Sequence, residues 1–424
     1  MSNLRHLRAL GPPLGGYLRP GHRDAALLAN LVAGGFDIGA GVVLDPAADS
    51  RTEELRAVAR GAGIDVVIDP RSVELSLPGG FARRTVSGLP WAADDLHSPA
   101  SLRGQAGAEF CAKIAVHVIE SGATSVLAPT HFLNEHTPWL TVDVELTALL
   151  RQALDDLGAS EIAIYYPLVS RLRLLADGPL LEKVMAQLSS LVSGGAVDAV
   201  WLRLHPFGTK SAGPVNMKRY IRLAARVRGL GVPVVGEKTG TVGLVLLALN
   251  AIGAIESSVT YGDRFDASSL LKPSQGTPFT PPPRVYLDSA GVMVERRHAE
   301  ALFERRAIRS RHVCQAACCQ RGMKDMIGNP RRHFVLSRSR EVALLSRVPA
   351  VSRPESFLAN WLRPATDRAV QLEKADANLA PDRLRLDSWR VSMSDLIEDE
   401  SIPTSNEPLV PDGRLGQNRS KKAQ

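Results

Sequence analysis

One pattern limits how this chain can fold more than any other, and it recurs eight times in the first 270 residues. A short apolar run ends in a polar or glycine-rich stretch, and an amphipathic stretch follows. The runs are Gly15 to Leu18, Val42 to Asp45, Asp65 to Asp69, Ser125 to Pro129, Ile162 to Tyr166, Val200 to Leu204, Pro233 to Glu237 and Ala254 to Ser257. Most are continuously apolar, as strands covered on both faces of a parallel sheet are. Between them, Leu146 to Leu157, Leu180 to Val192 and Met217 to Leu230 repeat apolar residues every three or four positions. Each is followed within a few residues by Gly or Pro. The alternation predicts an α/β fold, a (β/α)8 TIM-like barrel over residues 1–270, with an open doubly wound sheet as the alternative. Arg71 to Gly104 is too long and proline-rich for a simple connection and reads as an excursion over the barrel mouth.

Residues 271–283 form a Pro-rich linker, and 284–392 a basic, Cys/His-containing helical region that opens with a hairpin from Arg284 to Val294. Residues 393–424 are polar, without apolar periodicity, and are expected to be a disordered tail. No apolar run approaches the roughly 18 residues of a membrane span. Val242 to Ile255 comes nearest and is broken by Gly243, Asn250 and Gly253. Met1 to Arg8 is basic with no apolar segment behind it, which argues against secretion. Four cysteines in 424 residues are too few for a disulfide framework. A cytoplasmic protein without membrane contact is the expectation; the sequence leaves a homodimer open.

The net charge of +7 is concentrated. Val294 to Arg347 holds thirteen Lys/Arg against five Asp/Glu, so this segment carries the whole positive excess. That is the footprint of a polyanion-binding surface or, equally, a set of solvated helix faces. The candidate nucleic-acid contacts are Arg321, Lys324, Arg331, Arg332, Arg338 and Arg340.

Reacting groups of a parallel barrel sit where its strands end. Here those positions hold Asp45, Asp69, His131, Tyr165, Tyr166, Arg203, His205, Glu237, Lys238 and Glu256. An acid at the end of an apolar strand enters a partly dry mouth, where it can hold a proton or accept from a ligand N–H. It can also cap a helix or join an ion pair, and for Asp45 and Asp69, each followed by Pro, capping is a real alternative. Arg203 and Lys238 are the natural counter-ions of Asp69 and Glu256. In a site of this kind, replacing either acid by its amide is expected to cost turnover rather than stability. Glu237 to Gly243 follows a strand and opens an apolar helix, so the N–H groups around Gly240 suit an anion or a ring carbonyl. His131, Arg203, His205, Glu237, Lys238 and Gly240 are the candidate substrate contacts. Asp263, in Gly262 to Asp266, is a further candidate nucleophile or base, or a partner of Arg264.

Three of the four cysteines, Cys314, Cys318 and Cys319, lie within six positions, and His333 follows fourteen residues after the last. Thiolates and imidazole are the preferred donors of a structural zinc site, which needs four. Cys314 and Cys318 can share a helix face, whereas adjacent Cys318 and Cys319 require unwinding. Buried, inert cysteines are the alternative, and His312 is a spare donor.

A barrel followed by such a Cys3His element and a basic helical region resembles the tRNA-guanine transglycosylase superfamily. Asp65 to Ser72 supplies a strand and an aspartate without the family's following glycines. Val235 to Gly240, the helical Leu244 to Asn250, Gly253 and Ala254 to Glu256 follow the grammar around its nucleophile, with Glu256 where the family has an aspartate. The metal spacing differs too: C-x3-C-C here, C-x-C-x2-C in the family. The resemblance covers about Asp65 to Arg347 and is topological more than motif-exact. It implies exchange of a purine base in tRNA or DNA for a small 7-deazaguanine-type base, through a covalent enzyme–sugar intermediate. Asp69 would then orient the base and Glu256 or Asp263 attack the sugar, beside a structural zinc. A small-molecule barrel lyase or isomerase, and an inactive zinc-stabilised nucleic-acid-binding protein, are the alternatives.

Overall fold

The computed structural model describes residues 14–398, apart from 22, 135–137, 177–178, 260–263 and 273–281. Eight parallel strands close into a barrel: β1 (Gly15–Arg19), β2 (Gly41–Leu44), β3 (Asp65–Ile68), β4 (Ser125–Leu127), β5 (Ala163–Arg171), β6 (Ala199–His205), β7 (Val234–Glu237) and β8 (Ala254–Ser258). Every predicted run is a strand, including the short, glycine-rich first one. The closing seam pairs β1 with β8, Tyr17 lying opposite Glu256.

Seven helices follow their strands in turn: α1 (Ala25–Ala33), α2 (Asp49–Gly61), α3 (Gln105–Ser121), α4 (Trp139–Asp156), α5 (Pro179–Ser193), α6 (Pro214–Arg228) and α7 (Val242–Ala248). α6 shows the local logic. Gly213 precedes it, Pro214 occupies its first turn, Arg226 and Arg228 sit in its last, and Met217, Tyr220, Ile221 and Ala224 turn inward. The eighth helix, α8 (Pro330–Ser346), arrives only after some seventy further residues (about twenty turns' worth of helix, were it helical). It lies against the outer side of β1 and β8, with the Leu14 N–H donating to Ser346 Oγ at 2.9 Å and a cavity of about 230 Å³ between them. The 284–392 region is therefore not a separate appendix, since it supplies the helix that covers the seam. Between β8 and α8 lie the predicted hairpin, β9 (Arg284–Leu287) and β10 (Val292–Glu295), two short helices (Arg296–Glu304 and Arg306–His312) and the cysteines. Most of the linker lies outside the described residues. The described residues end in α9 (Arg363–Ala375) and α10 (Ala380–Glu398). Residues 393–398, expected to be tail, are the last turns of α10 and bury Met393 and Leu396; the rest of the tail is outside the described residues. Among the described residues no helix is long and apolar enough to cross a membrane.

Strand alternation sorts the barrel interior into layers. The middle layer is apolar, with Tyr17, Val43, Val67, Leu127, Tyr165, Trp201, Val235 and Ala254 packed together. Tyr165 thus lies deep in the barrel and Tyr166 in the layer between strands and helices, neither at the mouth. One step below, Asp65 accepts hydrogen bonds from the hydroxyls of Tyr17, Thr124, Ser125 and Tyr165 at 2.5–3.1 Å. Burial raises its carboxyl, and the four donors oppose that. One step above the apolar layer the inward positions are charged.

Candidate active site

Two residues beyond Tyr17, Val67, Trp201, Val235 and Ala254, alternation turns Arg19, Asp69, Arg203, Glu237 and Glu256 into the mouth. Three of the five are acids on different strands, and Arg19 joins them. Its Nη1 donates to Asp69 at 2.6 Å, its Nη2 to Glu237 at 3.2 Å and its Nε to Glu256 at 2.9 Å. Arg203 Nη2 donates to Asp69 at 3.0 Å, and its Nε lies 2.7 Å from Glu237. Asp69 also accepts from the Arg71 N–H at 2.9 Å, and Glu256 from the Lys238 N–H at 3.0 Å. Asp69, Arg203, Glu237 and Glu256 are buried.

This network answers the expected pairing. Asp69 and Glu256 do flank one mouth with Glu237, but their partners are Arg19 and Arg203, and Lys238 pairs with neither. Burial alone would raise the Asp69 carboxyl; Arg19, Arg203 and Arg71 outweigh it and hold it well below the ordinary carboxylate range. An acid so held is a poor proton carrier. Arg71, in the left-handed region at φ 59°, pairs with Asp45 and with Glu74 at 3.2 Å. Asp45 also caps the turn at Pro46, as its capping alternative held.

Above this layer opens a cavity of about 660 Å³. Seven cations line it, Arg19, Arg71, Arg83, Lys210, Lys238, Arg264 and Arg284, against three acids, Asp24, Glu74 and Asp266. Asp24 pairs with Arg331 at 3.1 Å and Asp266 with Arg264 at 2.9 Å. Arg83, Lys210, Lys238 and Arg284 form no ion pair among the described residues, so the cavity is net cationic. The excursion 71–104 forms one wall. At Gly79 a Cβ would fall 2.2 Å from the Ser269 carbonyl oxygen, so only glycine lets the excursion pack on the segment that follows β8.

Lys238 has φ 52°, a conformation that costs a residue with a Cβ about 1 kcal/mol or more. Its side chain reaches the cavity with Nζ 5.6 Å from the centre of the Phe265 ring. Burial, then Arg203 and Arg19, lower its ammonium below the ordinary lysine value, while Glu237 and Glu256 oppose them in part. Gly240, at φ 64°, forms the turn that follows.

Two predicted contacts lie elsewhere. His131 is fully buried, stacked on Trp139 at 3.7 Å, with Nδ1 2.6 Å from Asp143, so it fastens α4 to the end of β4. His205 accepts from the Ala267 N–H at 3.0 Å and borders a different cavity of about 370 Å³. Asp263 is outside the described residues. The sequence reading missed Arg19, Glu74, Arg83, Lys210 and Arg284. For Arg19 the signal was present: it ends the first strand as Asp69 ends the third.

Of the predicted nucleic-acid contacts, Arg321 and Lys324 are exposed, the former paired with Asp325. Arg332 lies 4.8 Å over the Phe36 ring, and Arg340 pairs with Asp288 at 2.6 Å. Arg338 is buried between Tyr286, Glu341 and Thr241 and is not placed to meet a phosphate. The charge-rich segment is thus part ion-paired and part exposed, Arg305, Arg306, Arg309, Arg311, Lys324 and Arg347 facing solvent as the solvated-face alternative allowed.

The four metal-donor candidates converge. The ligand atoms of Cys314, Cys318, Cys319 and His333 all lie within 4.8 Å of one another. The chain leaves the helical state after His312 and passes Cys319 in a single 3-10 turn, Ala317–Cys319, which supplies the unwinding that adjacent cysteines need. His333, in the first turns of α8, binds the Tyr286 carbonyl oxygen through Nε2 at 2.8 Å, so Nδ1 faces the sulfurs. That second contact fixes the ring as metal-binding histidines are fixed. Within the cluster the neighbouring sulfurs push the Cys314 thiol down and the Cys319 thiol up, as groups that share protons at short range do. His312 is engaged by Ser289 instead. These residues fit a structural metal ion.

No family model matches the chain, and no curated protein matches it. Solved structures do. The YdjI aldolase from Escherichia coli is similar at 11% identity over 80% of this chain and 94% of its own, with a TM-score of 0.34. A putative phosphonomutase from Burkholderia cenocepacia is similar at 16% identity over 60% of this chain and 92% of its own, with a TM-score of 0.36. A thermostable xylanase mutant from Cellvibrio japonicus is similar at 12% identity over 59% of this chain and 88% of its own, with a TM-score of 0.38. Likenesses this distant carry no argument about chemistry, which rests on the residues of the mouth.

Proposed function

We propose that this chain is a small-molecule barrel enzyme, of lyase or isomerase class, acting on a substrate with two or more phosphate or carboxylate groups. The observation that carries the reading is the set of four cations without an ion-pair partner, Arg83, Lys210, Lys238 and Arg284, around one cavity at the strand ends. Below them, Arg19 and Arg203 are ion-paired with the three acids. Rim cations of this kind bind anions by charge-assisted hydrogen bonds. Calorimetric titration with pyrophosphate tests it. We expect binding near one per chain, weakened about tenfold or more in Arg83→Ala/Arg284→Ala. No heat and no thermal stabilisation with pyrophosphate, citrate or a sugar bisphosphate would overturn it.

The second reading is base exchange in tRNA or DNA, as the family resemblance implies. It is favoured by the converging Cys/His group, inserted between the last strand and the last helix of the barrel. Zinc suits those donors: bonds of about 2.3 Å set sulfur–sulfur edges of roughly 3.8 Å, and Cys314 and Cys318 stand 3.5 Å apart. Its weakness is that Asp69 and Glu256 are engaged by Arg19. Incorporation of labelled guanine into tRNA, with pyrophosphate silent, would favour this reading over the first.

A further inference from the structure

The mouth holds one group that the ion network leaves over. Asp69, Glu237 and Glu256 are ion-paired with Arg19 and Arg203, Glu237 through Oε1 alone, yet Lys238 stands beside them with no carboxylate within 4.0 Å of its nitrogen among the described residues. Its backbone N–H is fixed twice, to the carbonyl oxygen and to Oε2 of Glu256, each at 3.0 Å. That anchoring holds the residue in the left-handed conformation and turns its side chain into the cavity, beside Phe265. A glycine would take this backbone without strain. A lysine kept at the centre of a site, strained and unpaired, invites a reason in its amine.

We infer that Lys238 is an amine nucleophile that forms an imine with a carbonyl group of an anionic substrate. The inference deepens the anion-site reading and rests on it for the class of carbonyl compound. The neutral amine adds its lone pair to the carbonyl carbon, and an amine proton passes to the oxygen to give the carbinolamine. The hydroxyl then leaves as water after taking a proton from solvent, and the protonated imine remains. Its positive nitrogen takes up the electron pair of a C–H bond on the neighbouring carbon as solvent water accepts the proton, giving the enamine; a proton returned to carbon restores the imine, and addition of water then releases the carbonyl product and the free amine. The charged groups facing Lys238 are Arg19 from β1, Arg203 from β6, Glu237 and Glu256 from β7 and β8, and Glu74 from the excursion. The arginines favour the neutral amine, which burial also favours.

Reductive trapping tests this on the full chain. Pyridoxal 5′-phosphate, an anionic aldehyde, and glycolaldehyde, an uncharged one, are each reduced with borohydride on the protein, and the modified peptides are read by mass spectrometry. We expect Lys238 to be labelled about tenfold or more ahead of exposed Lys113 and Lys183 at neutral pH. Pyrophosphate should suppress labelling by the phosphate-bearing probe. Lys238→Gly fits the backbone and Lys238→Arg keeps the cation; both should fold, and both should lose the fast label. Labelling of Lys238 no faster than the surface lysines with either aldehyde overturns the inference, as does a fast label on Lys210 in its place. Fast labelling by both aldehydes without protection by pyrophosphate supports the amine and sinks the anion-site reading instead.

Discussion

Arg19 determines what the carboxylates of the mouth can do. One guanidinium donates to three acids from three strands, so each acid is a counter-ion before it is anything else. This reverses the expectation that neutralising Asp69 leaves stability alone. Asp69→Asn strips charge from beside buried Arg203 and half-buried Arg19 and should cost about 3 kcal/mol, read as a lower urea midpoint at neutral pH. The sign of the pH dependence follows from the depressed carboxyl. Its contribution is complete above the ordinary carboxylate value near 4 and is lost as pH falls toward the folded value. The parent should therefore lose stability more steeply than Asp69→Asn between about pH 5 and pH 3; parallel slopes would contradict the pairing. Asp69, Arg203, Glu237 and Glu256 were legible because each closes or nearly closes a continuous apolar run, and parity carries them inward. Arg19 obeys the same rule, but its run is short and glycine-rich, so its end drew no attention. His131 was misplaced for a physical reason. It lies past the last residue of β4, where alternation no longer says which way a side chain turns.

At the scale of elements, the strands were readable and the metal element only by its composition. Four soft or imidazole donors close in sequence announced themselves, but the helix that would carry Cys314 and Cys318 together does not form. The chain instead turns tightly around Cys319, and the fourth donor comes from α8. About one zinc per chain is expected on metal analysis of purified protein. Cys318→Ala should lose the metal and open the stretch from Arg306 to Asn329 to protease before the barrel is cut, because the energy of such a site is largely local folding energy. Early cleavage in the barrel instead would show that the cluster is inert packing.

For the whole molecule, the charge excess lies in two places, of which the sequence suggested one. Four cations of the basic segment pair with Asp24, Asp288, Asp325 and Glu341, while Arg305, Arg306, Arg309, Arg311, Lys324 and Arg347 are exposed without an ion pair among the described residues. A second group of cations without an ion pair lines the barrel mouth, from segments as far apart as Arg83 and Arg284, a convergence that no local count of charge reveals. Retention on heparin should therefore fall more in Arg83→Glu/Arg284→Glu than in Arg331→Glu/Arg332→Glu, and should fall with salt in the parent. The reverse order would return the anion surface to the segment beside the cysteines.

The late position of α8 has a consequence for how the molecule comes into being. A chain growing from its N-terminus has all eight strands once Ser258 is made, yet nothing to lay over the seam where the last strand meets the first. The helix that covers it is complete only at Ser346, and its first turns carry the histidine that meets the cysteines. Until then the outer faces of β1 and β8, with Leu18 and Ile255, stay bare. Synthesis therefore passes through a long interval in which a complete sheet lacks its last cover, and the Cys/His cluster is the clasp that ties the cysteine turn to the start of that cover.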